Sequence, residues 1–143
     1  MERPGLKYLL DTAPWANDVL TPEIVPARIE NLLDNLEHKG LCSISLLECA
    51  ILHRRGRLLV NAALEDFFKR GLAADIEVLE LTPEIAAVSN DLPEDFSGDP
   101  FDRVIAATAK VMNLTLITCD AAIRDARFCK VEFYPFKPSR LKA

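Results

Sequence analysis

The chain has 143 residues, enough for one compact domain over 1–143, and half of them are apolar, which supports a substantial core. Its formal charge of −5 argues against a general nucleic-acid coat protein, which is normally basic. No apolar run is long enough to span a bilayer, no cleavable signal is evident in the opening MERPGLKYLLDTAP, and the expected location is the cytoplasm.

In chain order, LKYLLD at 6–11 reads as a short buried strand, and TAPWAND follows with Pro14 near a helix start, where proline is tolerated. Thr21-Pro22-Glu23 is a second helix-start signature. A helix is expected through ARIENLLDNLEHKG, with Ile29, Leu32, Leu33 and Leu36 on one face and Gly40 as its stop. LCSIS at 41–45 reads as a strand. Ser45 is then expected to cap a helix, LLECAILHRRG, that ends at Gly56.

A further helix fits NAALEDFFKRG, closed by Gly71, with Phe67 and Phe68 in the core. IEVLEL at 76–81 alternates like a strand, and TPEIAAVSNDL repeats the Thr-Pro-Glu helix start. PEDFSGD at 93–99 reads as a loop, PFDRVIAATAKVMN as a helix and LTLIT at 114–118 as a strand. Asp120 opens a turn or helix, AAIRDAR, and VEFY at 131–134 is a last strand before a basic tail with Lys137, Arg140 and Lys142. Alternating strands and helices predict an α/β sandwich around a mostly parallel sheet.

Four apolar or helical runs carry an acid at their edge: Asp11, Glu48, Asp102 and Asp120. In open sheets of this kind ligands sit outside the carboxyl ends of the strands, where Asp11 and Asp120 are expected. Gathered carboxylates repel by about 4 kcal/mol per pair 4 Å apart at an effective dielectric of 20, so they require a cation or protons. A hard divalent ion such as Mg²⁺ takes oxygen ligands of this type, which points to a metal-dependent enzyme acting on phosphate esters.

Each acid also has an ordinary explanation. Asp99 before Pro100 is a good helix cap, and Asp102 would lie in the first helical turn. Ser45-x-x-Glu48 matches a capping box, and Asp120 would cap the helix after its strand. The cysteines Cys42, Cys49, Cys119 and Cys129 form no CxxC pair, and only His38 and His53 add imidazole. A zinc site is therefore not expected.

The chain resembles the PIN-domain family, and within it the VapC-type toxin ribonucleases of bacterial toxin–antitoxin pairs. The resemblance rests on YLLDT at 8–12, SISLLECAILHRRGRL at 43–58 and DPFDRVIAATAKVMNLTLITCD at 99–120, in that order. It implies a three-layer sandwich and a four-acid site for Mg²⁺ or Mn²⁺ made by Asp11, Glu48, Asp102 and Asp120. Asp99 is an additional acid that either joins the site or only caps its helix, and Thr12 and Thr118 would hydrogen-bond carboxylates or substrate. Relatives often carry histidine or serine two positions after the first aspartate, where this chain has Ala13; the resemblance therefore carries over no substrate contact at that position, while the implied metal site is unaffected.

The activity implied is hydrolysis of RNA, single-stranded or looped. Arg103 and Arg54, in the cluster His53-Arg54-Arg55-Gly56-Arg57, are candidates for its phosphates. Trp15 would stack a base or belong to the core. The implied partners are a cognate antitoxin and a second copy of the chain. The competing readings are an RNA-processing nuclease outside a toxin pair, a phosphatase or DNA nuclease on a similar scaffold, and an inactive interaction domain.

Overall fold

The computed structural model describes residues 5–73 and 75–135 and the backbone of 141–142. In chain order it comprises β1 (Tyr8–Leu10), α1 (Thr12–Leu20), a 3₁₀ turn (Pro22–Ile24), α2 (Ala27–Asp34), β2 (Lys39–Cys42), α3 (Ser43–Arg54), β3 (Leu58–Leu59), α4 (Leu64–Gly71) and β4 (Ile76–Leu79). The second half adds α5 (Pro83–Asp91), α6 (Pro100–Met112), β5 (Thr115–Thr118), α7 (Ala121–Ala126), β6 (Val131–Phe133) and β7 (Leu141–Lys142). Five strands form one sheet in the order β4-β2-β1-β5-β6, every pair parallel.

Side chains of successive strand residues leave opposite faces of a sheet, and the core divides accordingly. Leu10, Leu41 and Ile117 pack on one face with Trp15, Ile29, Leu33 and Phe67 from α1, α2 and α4. Leu9, Cys42 and Leu116 pack on the other with Ile105, Ala109 and Ile123 from α6 and α7. The expected α/β sandwich with a parallel sheet between helical layers is therefore the observed architecture. No helix among the described residues is long and apolar enough to cross a membrane.

From β1 the chain moves through β2 to β4 at one edge, then returns to lay β5 on the opposite side of β1 and β6 beyond it. The direction of strand addition thus reverses between β1 and β5. A reversal of this kind opens a crevice at the carboxyl ends of the two strands. Leu10 is in register with Ile117, so the next residues, Asp11 and Thr118, meet at the mouth of that crevice.

The local departures from expectation have identifiable causes. The helix expected to run to Gly40 stops at Asp34, with Asn35 as its cap, and Gly40 lies inside β2. A Cβ on Gly40 would sit 2.9 Å from Leu79 Cδ1, so this glycine serves close strand packing rather than helix termination. The first Thr-Pro-Glu gives only the 3₁₀ turn, without a side-chain cap from Thr21. The second gives a capped helix in which Thr82 Oγ1 accepts from Ile85 N at 3.2 Å. Helix α3 starts three residues early, at Ser43 rather than Leu46, so Ser45 lies inside it and does not cap it. The parallel pair β3–β7 was not expected; two-residue strands carry no readable period. Of the expected basic tail, Lys137 and Arg140 lie outside the described residues.

Trp15 is a core residue. It is 1% exposed, its Nε1 donates to Gly71 O at 2.8 Å, and its ring lies 5.3 Å from that of Phe67. The base-stacking role is excluded by this burial. A Cβ at Gly71 would come within 2.5 Å of Trp15 Cζ2, and a rigid, fully buried indole cannot yield. Gly71→Ala is therefore expected to cost about 1–3 kcal/mol, the usual range for overpacking, measured as a lower urea midpoint. An unchanged midpoint would show that the contact relaxes freely.

Candidate active site

The site is built on β1 and β5. Asp11 N donates to Ile117 O at 2.9 Å, extending the strand pairing by one residue. The Asp11 side chain then turns back on the chain: Oδ1 accepts from Thr12 N at 2.8 Å and caps α1. Its Oδ2 accepts from the Thr118 hydroxyl at 2.8 Å, across the strand pair. Asp11 is 8% exposed and Thr118 is fully buried, so a carboxylate is anchored by donors where the crevice opens. Burying such a group is tolerable only with hydrogen bonds of this kind.

Thr118 has a second role. Its Oγ1 accepts from Asp120 N at 3.0 Å, which fixes the turn leaving β5, and Asp120 Oδ1 caps α7 by accepting from Ala122 N at 2.8 Å. One hydroxyl therefore sets Asp11 and Asp120 relative to each other. Thr12 lies next to them and bonds Ser45 of α3 hydroxyl to hydroxyl at 2.8 Å. That bond ties α3, and with it Glu48 one helical turn later, to the start of α1. Ser45 belongs to the support of the site, a role hidden behind its resemblance to a helix cap.

Asp102 approaches from the first turn of α6. Asp99 caps this helix through Oδ1, which accepts from Phe101 N at 2.8 Å. Asp102 Oδ2 accepts from the Ser97 hydroxyl at 3.2 Å. Ser97 is a second supporting residue that sequence reading passed over, because the loop containing it shows no periodicity.

The electrostatics show that these acids share one region. Burial pushes the Glu48 carboxyl up to about 7; a hydrogen bond with Thr12 opposes this, and the charges of Asp11, Asp102 and Asp99 add to it. Burial likewise pushes Asp102 up to about 7, reinforced by Asp11, Asp99 and Asp120 and opposed by the bond from Ser97. The charges acting on both carboxyls are all of their own sign. Asp99 thus caps α6 and also contributes to the field of the site.

Among the described residues, no three histidine, cysteine, aspartate or glutamate side chains close into a ready-made metal cage. The acids instead form an open group of oxygen donors. That chemistry fits a hard ion which keeps several of its waters and takes few protein ligands. It does not fit zinc, and the four cysteines are free thiols, with Cys42 and Cys49 each pushed up to about 12 by burial.

The arginines divide. Arg54 and its neighbours Arg55 and Arg57 are exposed at and just beyond the end of α3. Arg103, by contrast, is turned into its own fold and is not available as a phosphate ligand. Its Nη1 donates to Pro93 O and Ser97 O, both at 3.0 Å. Its Nη2 donates to Ser89 O at 3.0 Å and Leu92 O at 2.6 Å. All four terminal N–H groups are spent on backbone carbonyls.

The raised Glu48 carboxyl has a consequence for stability. Its folded-state value of about 7 exceeds its ordinary 4.5, so the folded protein holds this proton more tightly than the unfolded chain does. By linkage, the group leaves stability intact below pH 4.5 and erodes it as the pH climbs through 7. In chelator-containing buffer, Glu48→Gln is expected to leave Tm unchanged at pH 4 and raise it by about 2–4 °C at pH 8, the shift for about 1 kcal/mol in a chain of this size. A lower Tm at pH 8 would mean that the carboxylate stabilises the fold.

Comparison with known proteins identifies the family and the fold. Residues 8–128 match the PIN domain. Over 106 residues the chain is 28% identical to Ribonuclease VapC22 of Mycobacterium tuberculosis, covering 74% of this chain and 81% of that protein. Its fold is similar to that of VapBC2 from Rickettsia felis bound to a promoter DNA fragment, with a TM-score of 0.68 at 17% identity over 90% of this chain and 98% of the other. FitAcB from Neisseria gonorrhoeae gives a TM-score of 0.58 at 26% identity over 90% and 97% of the two chains. VapBC-5 of M. tuberculosis, from the VapBC family of toxin–antitoxin systems, gives 0.52 at 20% identity over 98% and 100%. With the match running from β1 past the end of α7 and the fold shared over nine-tenths of the chain, this protein belongs to the PIN-domain family.

Proposed function

We propose that this protein is an endoribonuclease that hydrolyses RNA phosphodiester bonds with Mg²⁺ or Mn²⁺ at the acidic crevice, and that it is the toxin of a toxin–antitoxin pair. The observation that carries the reading is the placement of the acids: Asp11 and Asp120 are both fixed by the Thr118 hydroxyl at the carboxyl ends of β1 and β5, and Glu48 and Asp102 come in beside them on α3 and α6, with carboxyls raised first by burial and then by the neighbouring acids. Buried carboxyls that also face one another's charge are relieved most directly by a dication. The likeness to a protein named as a ribonuclease supports the reaction class, and the likeness to VapBC proteins supports a cognate antitoxin as partner.

Asp11, Asp102 and Asp120 would hold the ion, with Glu48 beside them. The bound ion would supply Lewis-acid stabilisation of the scissile phosphate and make water more acidic. Thr118 Oγ and Thr12 N keep Asp11 in one orientation, so no reorganisation is needed when substrate arrives. Glu48 is the residue proposed to accept a proton from the attacking water. Exposed Arg54 at the end of α3 is the candidate for a flanking phosphate, since guanidinium matches phosphate oxygens.

Single-stranded or looped RNA is the proposed substrate class, although Trp15 offers no stacking surface. An acidic crevice also accounts for inhibition by an antitoxin, because a basic side chain inserted there would pair with the same carboxylates. A homodimer in the cytoplasm completes the proposal.

Purified protein is expected to cleave RNA only with added Mg²⁺ or Mn²⁺. Asp11→Asn, which preserves side-chain shape, is expected to reduce the rate about 100-fold or more, with an unchanged circular dichroism spectrum. Undiminished cleavage by this variant in chelator would reject the assignment. Cleavage of phosphomonoesters with none of RNA would select the phosphatase reading.

A further inference from the structure

We infer that Arg103 is a positioning residue for Asp102, acting through the loop at 93–99 and the hydroxyl of Ser97. The inference rests on the metal-dependent reading of the acidic crevice given above. Asp102 and Arg103 are adjacent on the first turn of α6, and their side chains meet at Ser97, Asp102 at its hydroxyl and Arg103 at its carbonyl. The guanidinium gathers the carbonyls of Ser89, Leu92, Pro93 and Ser97, from the end of α5 through the loop. Ser89 lies in the last turn of α5, where helix carbonyls have no intrahelical partner, and the other three belong to the irregular segment after it, outside any strand ladder. A planar cation with a fixed fork of donors can serve all four, whereas an ammonium cannot reproduce that arrangement.

The Ser97 peptide fixed in this way carries the hydroxyl that touches the site. Ser97 Oγ accepts from Asp99 N at 3.1 Å. That bond occupies a lone pair and directs the hydroxyl proton to Asp102 Oδ2, 3.2 Å away. The same loop is pinned at Phe96, whose ring meets Phe128 edge-on at 4.8 Å and packs against the core. Guanidinium and aromatic pair together hold the loop at several points, and its one side-chain contact with the acidic group is Ser97 to Asp102 among the hydrogen bonds described. Arg103 therefore orients a carboxylate rather than binding substrate. Outer partners of this kind typically alter metal affinity 10–100-fold when removed.

The test measures binding of Mn²⁺ alone to the full chain by titration calorimetry, alongside kcat and KM for RNA cleavage. Ser97→Ala and Arg103→Lys are each expected to weaken Mn²⁺ binding about tenfold and to lower kcat, with KM for RNA changed less than about twofold. Ser97→Thr, which keeps the hydroxyl, is expected to restore both Mn²⁺ affinity and kcat. Arg103→Lys with unchanged Mn²⁺ affinity and a raised KM would make Arg103 a phosphate ligand and overturn the inference. Should Arg103→Lys fail to fold, the Ser97→Ala and Ser97→Thr pair decides: wild-type Mn²⁺ affinity in Ser97→Ala overturns the inference and leaves the nuclease reading standing. Absence of Mn²⁺ binding and of RNA cleavage in the wild-type protein would remove both.

Discussion

The hydrogen bond from the Thr118 hydroxyl to Asp11 joins β1 to β5 at the point where the acidic crevice opens. Everything at the site is measured from it. A carboxylate that is 8% exposed would be destabilising without donors, and here it has a side-chain hydroxyl on one oxygen and a backbone amide on the other. The same Thr118 oxygen receives Asp120 N, so two acids on different segments are held by a single atom. Glu48 and Asp102 then come in on α3 and α6, each tethered by a serine: Ser45 through Thr12, and Ser97 directly.

Gathering these acids works against folding. Each close pair costs on the order of a few kcal/mol, while a domain of this size is stable by only about 5–15 kcal/mol. The fold sustains this because apolar packing covers both faces of the sheet. Leu9 and Leu10, and Leu116 and Ile117, are buried to 1% exposure or less on alternate sides. The strands that carry the acids are thus enclosed from both sides at the residues just before the crevice. Rigidity at the crevice and cost at the crevice thus have one origin, the burial of β1 and β5.

How far the sequence revealed this follows from what each signal measures. Apolar runs closed by an acid located β1, β5 and the crevice, because enclosed parallel strands read as short continuous apolar segments. Asp99, Thr82 and Asp120 were legible as caps, since an N-cap depends only on neighbours along the chain. Signals that depend on distant partners misled. Gly40 resembles a helix stop but makes room for Leu79. Ser45 resembles a cap but bonds Thr12, 33 positions away. Trp15, close in sequence to Asp11, turns instead to Gly71 and the phenylalanines of α4. Arg103 carries a charge that suggests an anion, while its partners are neutral carbonyls at the end of α5 and in the aperiodic loop after it, which no local pattern identifies.

Because β1 pairs with β5 rather than with its neighbour in sequence alone, the crevice joins the first dozen residues to positions near 120. During synthesis the chain therefore emerges from the ribosome with its acids far apart and no assembled pocket. The centre comes into being only after α6 and β5 have been made, when most of the polypeptide is already outside. A partner translated at the same time consequently has the interval of elongation in which to be present before the pocket exists.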